Sequence, residues 1–161
     1  MSDNRWLMLL FFLFLCYSAA VLGSIWTSSS VGAWYAELRK PSFNPPNWIF
    51  APVWSLLYFL MALSAWLVWG KADWGGTRLA LTLFFAQLLL NVAWSWLFFG
   101  LRRPGIALVE IVFLFGAVVA TALAARSVSG LAFWLMVPYA LWVAFATLLN
   151  FKIWQLNSGA V

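Results

Sequence analysis

Five stretches of this chain run for 21 to 23 residues almost without ionisable side chains, and they leave few folds open. Residues 6–26, 48–69, 79–101 and 130–151 contain no Asp, Glu, Lys or Arg, and residues 104–125 contain one, Glu110. At ~1.5 Å rise per residue such a run crosses the roughly 30 Å hydrocarbon core of a bilayer. A helix closes its backbone hydrogen bonds within itself, so it can cross lipid without orphaned amides. A membrane barrel would instead alternate polar and apolar positions over ~10-residue segments, and that alternation is absent. The expected fold is an all-α membrane protein: one domain over residues 1–161, built as a bundle of five transmembrane helices. Charged residues make up only 8% of the chain, against about 25% in ordinary soluble domains.

The first run has signal-peptide features, with Arg5 ahead of it and Ser18, Ala19 and Ala20 near its end. Its apolar stretch continues through Val21, Leu22, Ile25 and Trp26, too long for a signal core, so a retained helix is expected. The net charge of +5 comes from basic residues scattered between helices. That pattern fits membrane-helix ends and a lipid bilayer as partner, with no nucleic acid. The chain has one cysteine, Cys16, and no histidine. No metal-ligand cluster, phosphate loop or nucleophile–base set can be assembled from it. No metal and no required cofactor are expected.

The connections are short except one. Arg102 and Arg103 alone join the third and fourth runs, which forces a hairpin, and Pro104 suits the first turn of the helix that follows. Residues 126–129 join the fourth and fifth. The long connection is 27–47, and a loop of that length in a compact bundle is usually functional. It carries Trp34, Tyr35 and Phe43, and Ser30 is placed to cap a short helix within it. Pro41, Pro45 and Pro46 stiffen it. The expectation is a lid (Trp34, Tyr35, Pro41, Phe43, Pro45 and Pro46) closing a pocket inside the bundle. Pro52 and Pro138 should kink or interrupt the second and fifth helices.

Faces follow from the 3.6-residue period. Gln87, Asn91 and Ser95 form a polar stripe on the third helix, with Trp94 beside it. Membrane-embedded amides avoid lipid, so this stripe is either interhelical glue or ligand contact. Trp54, Tyr58, Met61 and Ala65 share one face of the second helix; Tyr139, Trp142, Ala146 and Asn150 share one of the fifth. Ala86, Ala93 and Gly100 repeat at seven-residue spacing and suit a neighbouring helix or a second subunit. Gly116, Ala120 and Ala124 read as a close-packing face. Seven of the 13 tryptophans (Trp6, Trp26, Trp48, Trp66, Trp69, Trp74 and Trp154) fall near span ends, where interfacial belts place them. Trp54, Trp94 and Trp142 do not. Glu110 is a lone intramembrane carboxyl, and a proton relay there would lack a second titratable partner.

Three segments carry a family resemblance: WYAELRKPSFNPPNWIFAPVWSLLYFLM from Trp34, QLLLNVAWSWLFFG from Gln87 and VPYALWVAFATLLN from Val137. In this order they resemble the translocator protein family (TspO/MBR, the tryptophan-rich sensory proteins), of bacterial type. The resemblance implies a multi-pass protein of the bacterial cell membrane, commonly a homodimer through the third helix. It also implies a pocket for porphyrins such as protoporphyrin IX, or for isoquinoline carboxamide and benzodiazepine ligands, with a role in tetrapyrrole regulation or stress response. By motif position Tyr35, Trp54, Asn91 and Trp142 match residues that line that pocket. Together with the faces above, the expected ligand-binding set is Tyr35, Trp54, Tyr58, Gln87, Asn91, Trp94, Tyr139, Trp142 and Ala146. Trp54 and Trp142 also match tryptophans linked to light-dependent porphyrin breakdown in some bacterial members, which would make them catalytic. A sterol-recognition pattern is incomplete here, with Phe151 where it wants Tyr. Transport is the third reading, and five helices offer no inverted repeat to support it.

Overall fold

The computed structural model describes residues 2–71 and 74–159, with side chains from Asn4 to Lys71 and from Gly75 to Gly159. Six α-helices follow one another: α1 (Ser2–Val31), α2 (Trp34–Glu37), α3 (Asn47–Trp69), α4 (Trp74–Ser95), α5 (Pro104–Val128) and α6 (Gly130–Asn157). Five are long and apolar enough to cross a membrane, and no strand occurs among the described residues. The chain is an integral membrane protein of the multi-pass kind. Its outer surface agrees, because Leu10, Phe14, Leu89, Val109, Phe113, Trp134 and Leu141 all point outward. In water such a surface would drive aggregation; in lipid it is the solvated face.

The core is contributed by all five spans. Phe12 and Cys16 of α1, Leu57 and Met61 of α3, Phe84 and Leu88 of α4, Ile111, Leu114 and Val118 of α5, and Met136 and Val143 of α6 form one buried cluster. On α5 the buried face is Ala107, Ile111, Leu114, Val118, Ala122 and Ala125. Of the row expected to pack, Gly116 is turned away from the core, Ala120 is half-buried, and Ala124 packs partly buried against the cluster of Val68, Ala80, Ala125 and Ala132. Gly116 is exposed, and a Cβ there would meet nothing within 4 Å. Small residues fall on both faces of this helix, and their spacing alone does not say which is buried.

Several boundaries differ from expectation for local reasons. The first helix runs on to Val31, five residues past the predicted end. Its Ser24, Thr27, Ser28 and Ser29 hydroxyls return to carbonyls of the same helix, so polar side chains there do not stop it. Ser30 caps nothing: it lies inside α1, and its hydroxyl donates to the Phe99 carbonyl at 2.7 Å. The connection that remains spans only residues 32–46 and includes α2. Pro52 and Pro138 sit inside α3 and α6, which continue through them, so neither proline breaks its helix.

The third span ends in a π-helical turn, Trp96–Gly100, where the Leu101 N–H reaches back to the Trp96 carbonyl at 2.8 Å. The hairpin to α5 then turns through Arg102 at φ 57°, and Pro104 opens α5 as expected. Ser129 alone separates α5 from α6, and its hydroxyl accepts from the Ala132 N–H. Trp6, Trp48 and Trp154 are exposed near helix ends, as interfacial residues would be; the side chain of Trp74 lies outside the described residues.

Candidate functional site

The bundle holds a cavity of about 490 Å³ between α1, α3, α4 and α6, within the range of small-molecule sites. Three indoles from three helices meet on its wall: Trp54, Trp94 and Trp142. Trp54 stands 5.7 Å from the Tyr58 ring and 6.2 Å from Tyr139. Trp142 packs edge-on to Phe50 at 6.0 Å and against Phe145 at 5.5 Å. Trp94 stacks on Phe98 at 5.3 Å and 27°. The π-helical turn brings Phe98 and Phe99 onto the same wall; such turns often mark functional regions because they re-aim side chains.

The polar groups are arranged as a framework. Tyr58 donates its hydroxyl to Asn91 Oδ1, and Asn91 Nδ2 donates to the Tyr139 hydroxyl at 2.9 Å. One level nearer the α5 start, Trp94 Nε1 donates to Asn150 Oδ1 at 3.0 Å, and Asn150 Nδ2 donates to the Pro104 carbonyl at 2.8 Å. Both carboxamides are thus committed to holding helices together. Within the stripe on α4, Asn91 ties helices together and Gln87 reaches only the Met61 sulfur, while Asn91 and Ser95 also face the cavity. The indole N–H groups of Trp54 and Trp142 differ: neither donates to a protein group among the described residues.

Of the nine side chains expected at a ligand, Tyr35, Trp54, Tyr58, Asn91, Trp94, Trp142 and Ala146 come together on this wall. Tyr139 lies behind it, fully buried beneath Asn91. Gln87 is a turn deeper. Its amide nitrogen is 3.7 Å from the Met61 sulfur, and its carbonyl oxygen is buried without a partner. Both carboxylate oxygens of Glu110 are likewise buried without a partner. Ala86 and Gly100 are exposed and Ala93 is half-buried. A Cβ on Gly100 would lie 3.0 Å from Trp26 Cδ1, so that glycine already serves a contact within the chain.

The stiff connection contributes less to the cavity than its aromatics suggest. Tyr35 lines the wall; Trp34, Pro41, Phe43, Pro45 and Pro46 do not. Trp34 packs on Phe98 at 5.8 Å and Phe43 on Phe145 at 6.2 Å. Tyr35 donates its hydroxyl to Asn44 Oδ1 at 2.9 Å. Burial pushes its phenol above the ordinary range, with the Asn44 bond opposing. Lys40 sits 4.8 Å from the centre of the Tyr35 ring and donates to the carbonyls of Ala36 and Leu38.

Sequence reasoning missed one whole wall. Tyr17, Val21, Ser24 and Ser28 of α1 all line the cavity. Their signal was available, since they repeat at 17, 21, 24 and 28 with small or hydroxylated groups prominent. In a helix apolar all round, such a row does not stand out.

The pattern of the TspO/MBR family matches residues 12–155. The chain belongs to the TspO/MBR family. Among TspO/MBR relatives, the tryptophan-rich protein TspO of Archaeoglobus fulgidus is 45% identical over 136 residues, covering 84% of this chain and 88% of that one. The translocator protein of Homo sapiens is 46% identical over 129 residues, 78% of this chain and 76% of its own. The tryptophan-rich sensory protein of Cereibacter sphaeroides is 38% identical over 152 residues, 94% and 92%. All of the cavity residues named above lie within the family match.

Proposed function

We propose that this TspO/MBR protein is a receptor or scavenger for a flat tetrapyrrole such as protoporphyrin IX, held among Trp54, Trp94 and Trp142. The observation that carries the reading is a cavity of about 490 Å³ walled by three indoles. The indole N–H groups of Trp54 and Trp142 are not taken by other protein groups among the described residues. Aromatic faces stack on a macrocycle, and the two free N–H donors reach carboxylate or carbonyl oxygens on its edge. Isoquinoline carboxamides and benzodiazepines, also flat and carbonyl-bearing, fit the same description. Such binding would serve tetrapyrrole regulation or a stress response. The protein acts as a homodimer in this reading, with Ala86 and Ala93 as the close-approach residues.

Titration of the purified protein with protoporphyrin IX in the dark tests the proposal. Tryptophan fluorescence should be quenched and the Soret band should shift, and Trp54→Phe with Trp142→Phe should weaken binding at least tenfold. No saturable quenching would end it. Illumination of the complex in air tests the photochemical alternative, in which bleaching depends on Trp54.

A further inference from the structure

We infer that ligand enters and leaves this cavity sideways from the bilayer, through a slit between α1 and α3 latched by the Tyr17–Ser55 hydrogen bond. This rests on the reading that the cavity takes a ligand.

Two facing rows carry the inference. Tyr17, Val21, Ser24 and Ser28 on α1 line the cavity and are exposed on the outside of the protein. Asn47, Ala51 and Ser55 on α3 do the same. Residues that belong to both surfaces mark the rim of an opening. Both rows lie within the candidate membrane spans, Asn4–Val31 and Asn47–Trp69. An opening between them therefore faces lipid.

The two helices are joined lower down. Trp66 Nε1 donates to the Arg5 carbonyl at 2.9 Å, and Trp6 stacks on Trp66 at 6.1 Å. The last tie before the rim is the Tyr17 hydroxyl, donating to the Ser55 carbonyl at 3.1 Å. No further hydrogen bond joins α1 to α3 above it among the described residues.

The other approach, through the 32–46 connection, is pinned. Asn157 holds Arg39 by both its backbone N–H and its carbonyl. Opening that side breaks both of these hydrogen bonds, whereas opening the slit breaks one.

The rim also defines what passes. Ser24, Ala51 and Ser55 are small, and the Ser24 and Ser28 hydroxyls are returned to their own helix. None of the seven rim residues is charged. A flat apolar solute already dissolved in the bilayer can slide its ring face past this rim without displacing a protein charge, its polar edge left at the membrane surface.

The test uses vesicles holding the full chain with Cys16→Ala and a thiol placed on the cavity wall by Ala146→Cys. A neutral alkyl maleimide dissolved in the bilayer should label that thiol faster than a charged, membrane-impermeant maleimide. Tyr17→Phe should raise the lipid-borne rate about threefold to tenfold, the worth of one hydrogen bond, and Asn157→Ala should leave it unchanged. Ser55→Trp should slow it; if that variant does not fold, Tyr17→Phe decides alone, since it removes a single hydroxyl. Faster labelling from water, acceleration by Asn157→Ala, or no response to Tyr17→Phe would each overturn the inference. Labelling needs no pigment, so its failure and the failure of protoporphyrin binding are read separately.

Discussion

The phenol of Tyr58 on α3 donates to the carboxamide of Asn91 on α4, and the same carboxamide donates onward to Tyr139 on α6. Three helices are thereby joined through one side chain that is itself part of the cavity wall. All three residues are buried, so each hydroxyl depends on Asn91 for a partner that neither water nor lipid can supply.

Asn91→Ala should therefore cost more than a pocket contact. Each hydroxyl left without its partner costs about 1–3 kcal/mol. Thermal unfolding in detergent should fall markedly for Asn91→Ala and much less for Tyr58→Phe, which removes one donor and leaves the Tyr139 bond in place.

Asn157→Ala should free the 32–46 connection. Its carboxamide accepts from the Arg39 N–H at 3.0 Å and donates to the Arg39 carbonyl at 2.9 Å. Amide hydrogen exchange should rise locally around Arg39 and Lys40, with the spans unaffected. Unchanged exchange there would mean that Asn157 is not what fixes the connection.

Gly100→Ala should destabilise a single copy of the chain. The added Cβ would lie 2.9 Å from Trp96 Cδ1 and 3.0 Å from Trp26 Cδ1, and overpacking of this kind costs about 1–3 kcal/mol. If Gly100 mattered only between subunits, dissociation would follow without a loss of monomer stability; unfolding at monomeric dilution distinguishes the two.

Alkaline pH should loosen the connection through Tyr35. Burial raises its phenol above the ordinary value, so the folded form favours the neutral group. The resulting stability is intact below the unfolded pKa of about 10 and is lost as pH climbs past it. Ionisation also removes the proton donated to Asn44. Exchange in residues 33–44 should accelerate above that pH, and Tyr35→Phe should remove the pH dependence.

The long apolar runs at 6–26, 48–69, 79–101, 104–125 and 130–151, with Glu110 their one ionisable residue, were enough to determine five spanning helices, because lipid offers no partner to an open backbone. The face Trp54/Tyr58 and the stripe Asn91/Ser95 were legible for a similar reason. Aromatic and amide groups at helical spacing in such runs need protein or cavity beside them. Other features depended on what the neighbours do. Small residues occur on two sides of α5, and only the packing of α4 and α6 selects Ala107 to Ala125 over Gly116 to Ala124. Ser28 and Ser30 fall in the stretch expected as a connection, with Ser30 as the cap of a short helix, yet their hydroxyls bond to carbonyls of α1 and of the π-helical turn. That α1 supplies a cavity wall, and has no hydrogen bond to α3 beyond Tyr17 among the described residues, follows from how two uniformly apolar helices cross. Periodicity cannot fix that crossing when every face of a helix is acceptable to lipid.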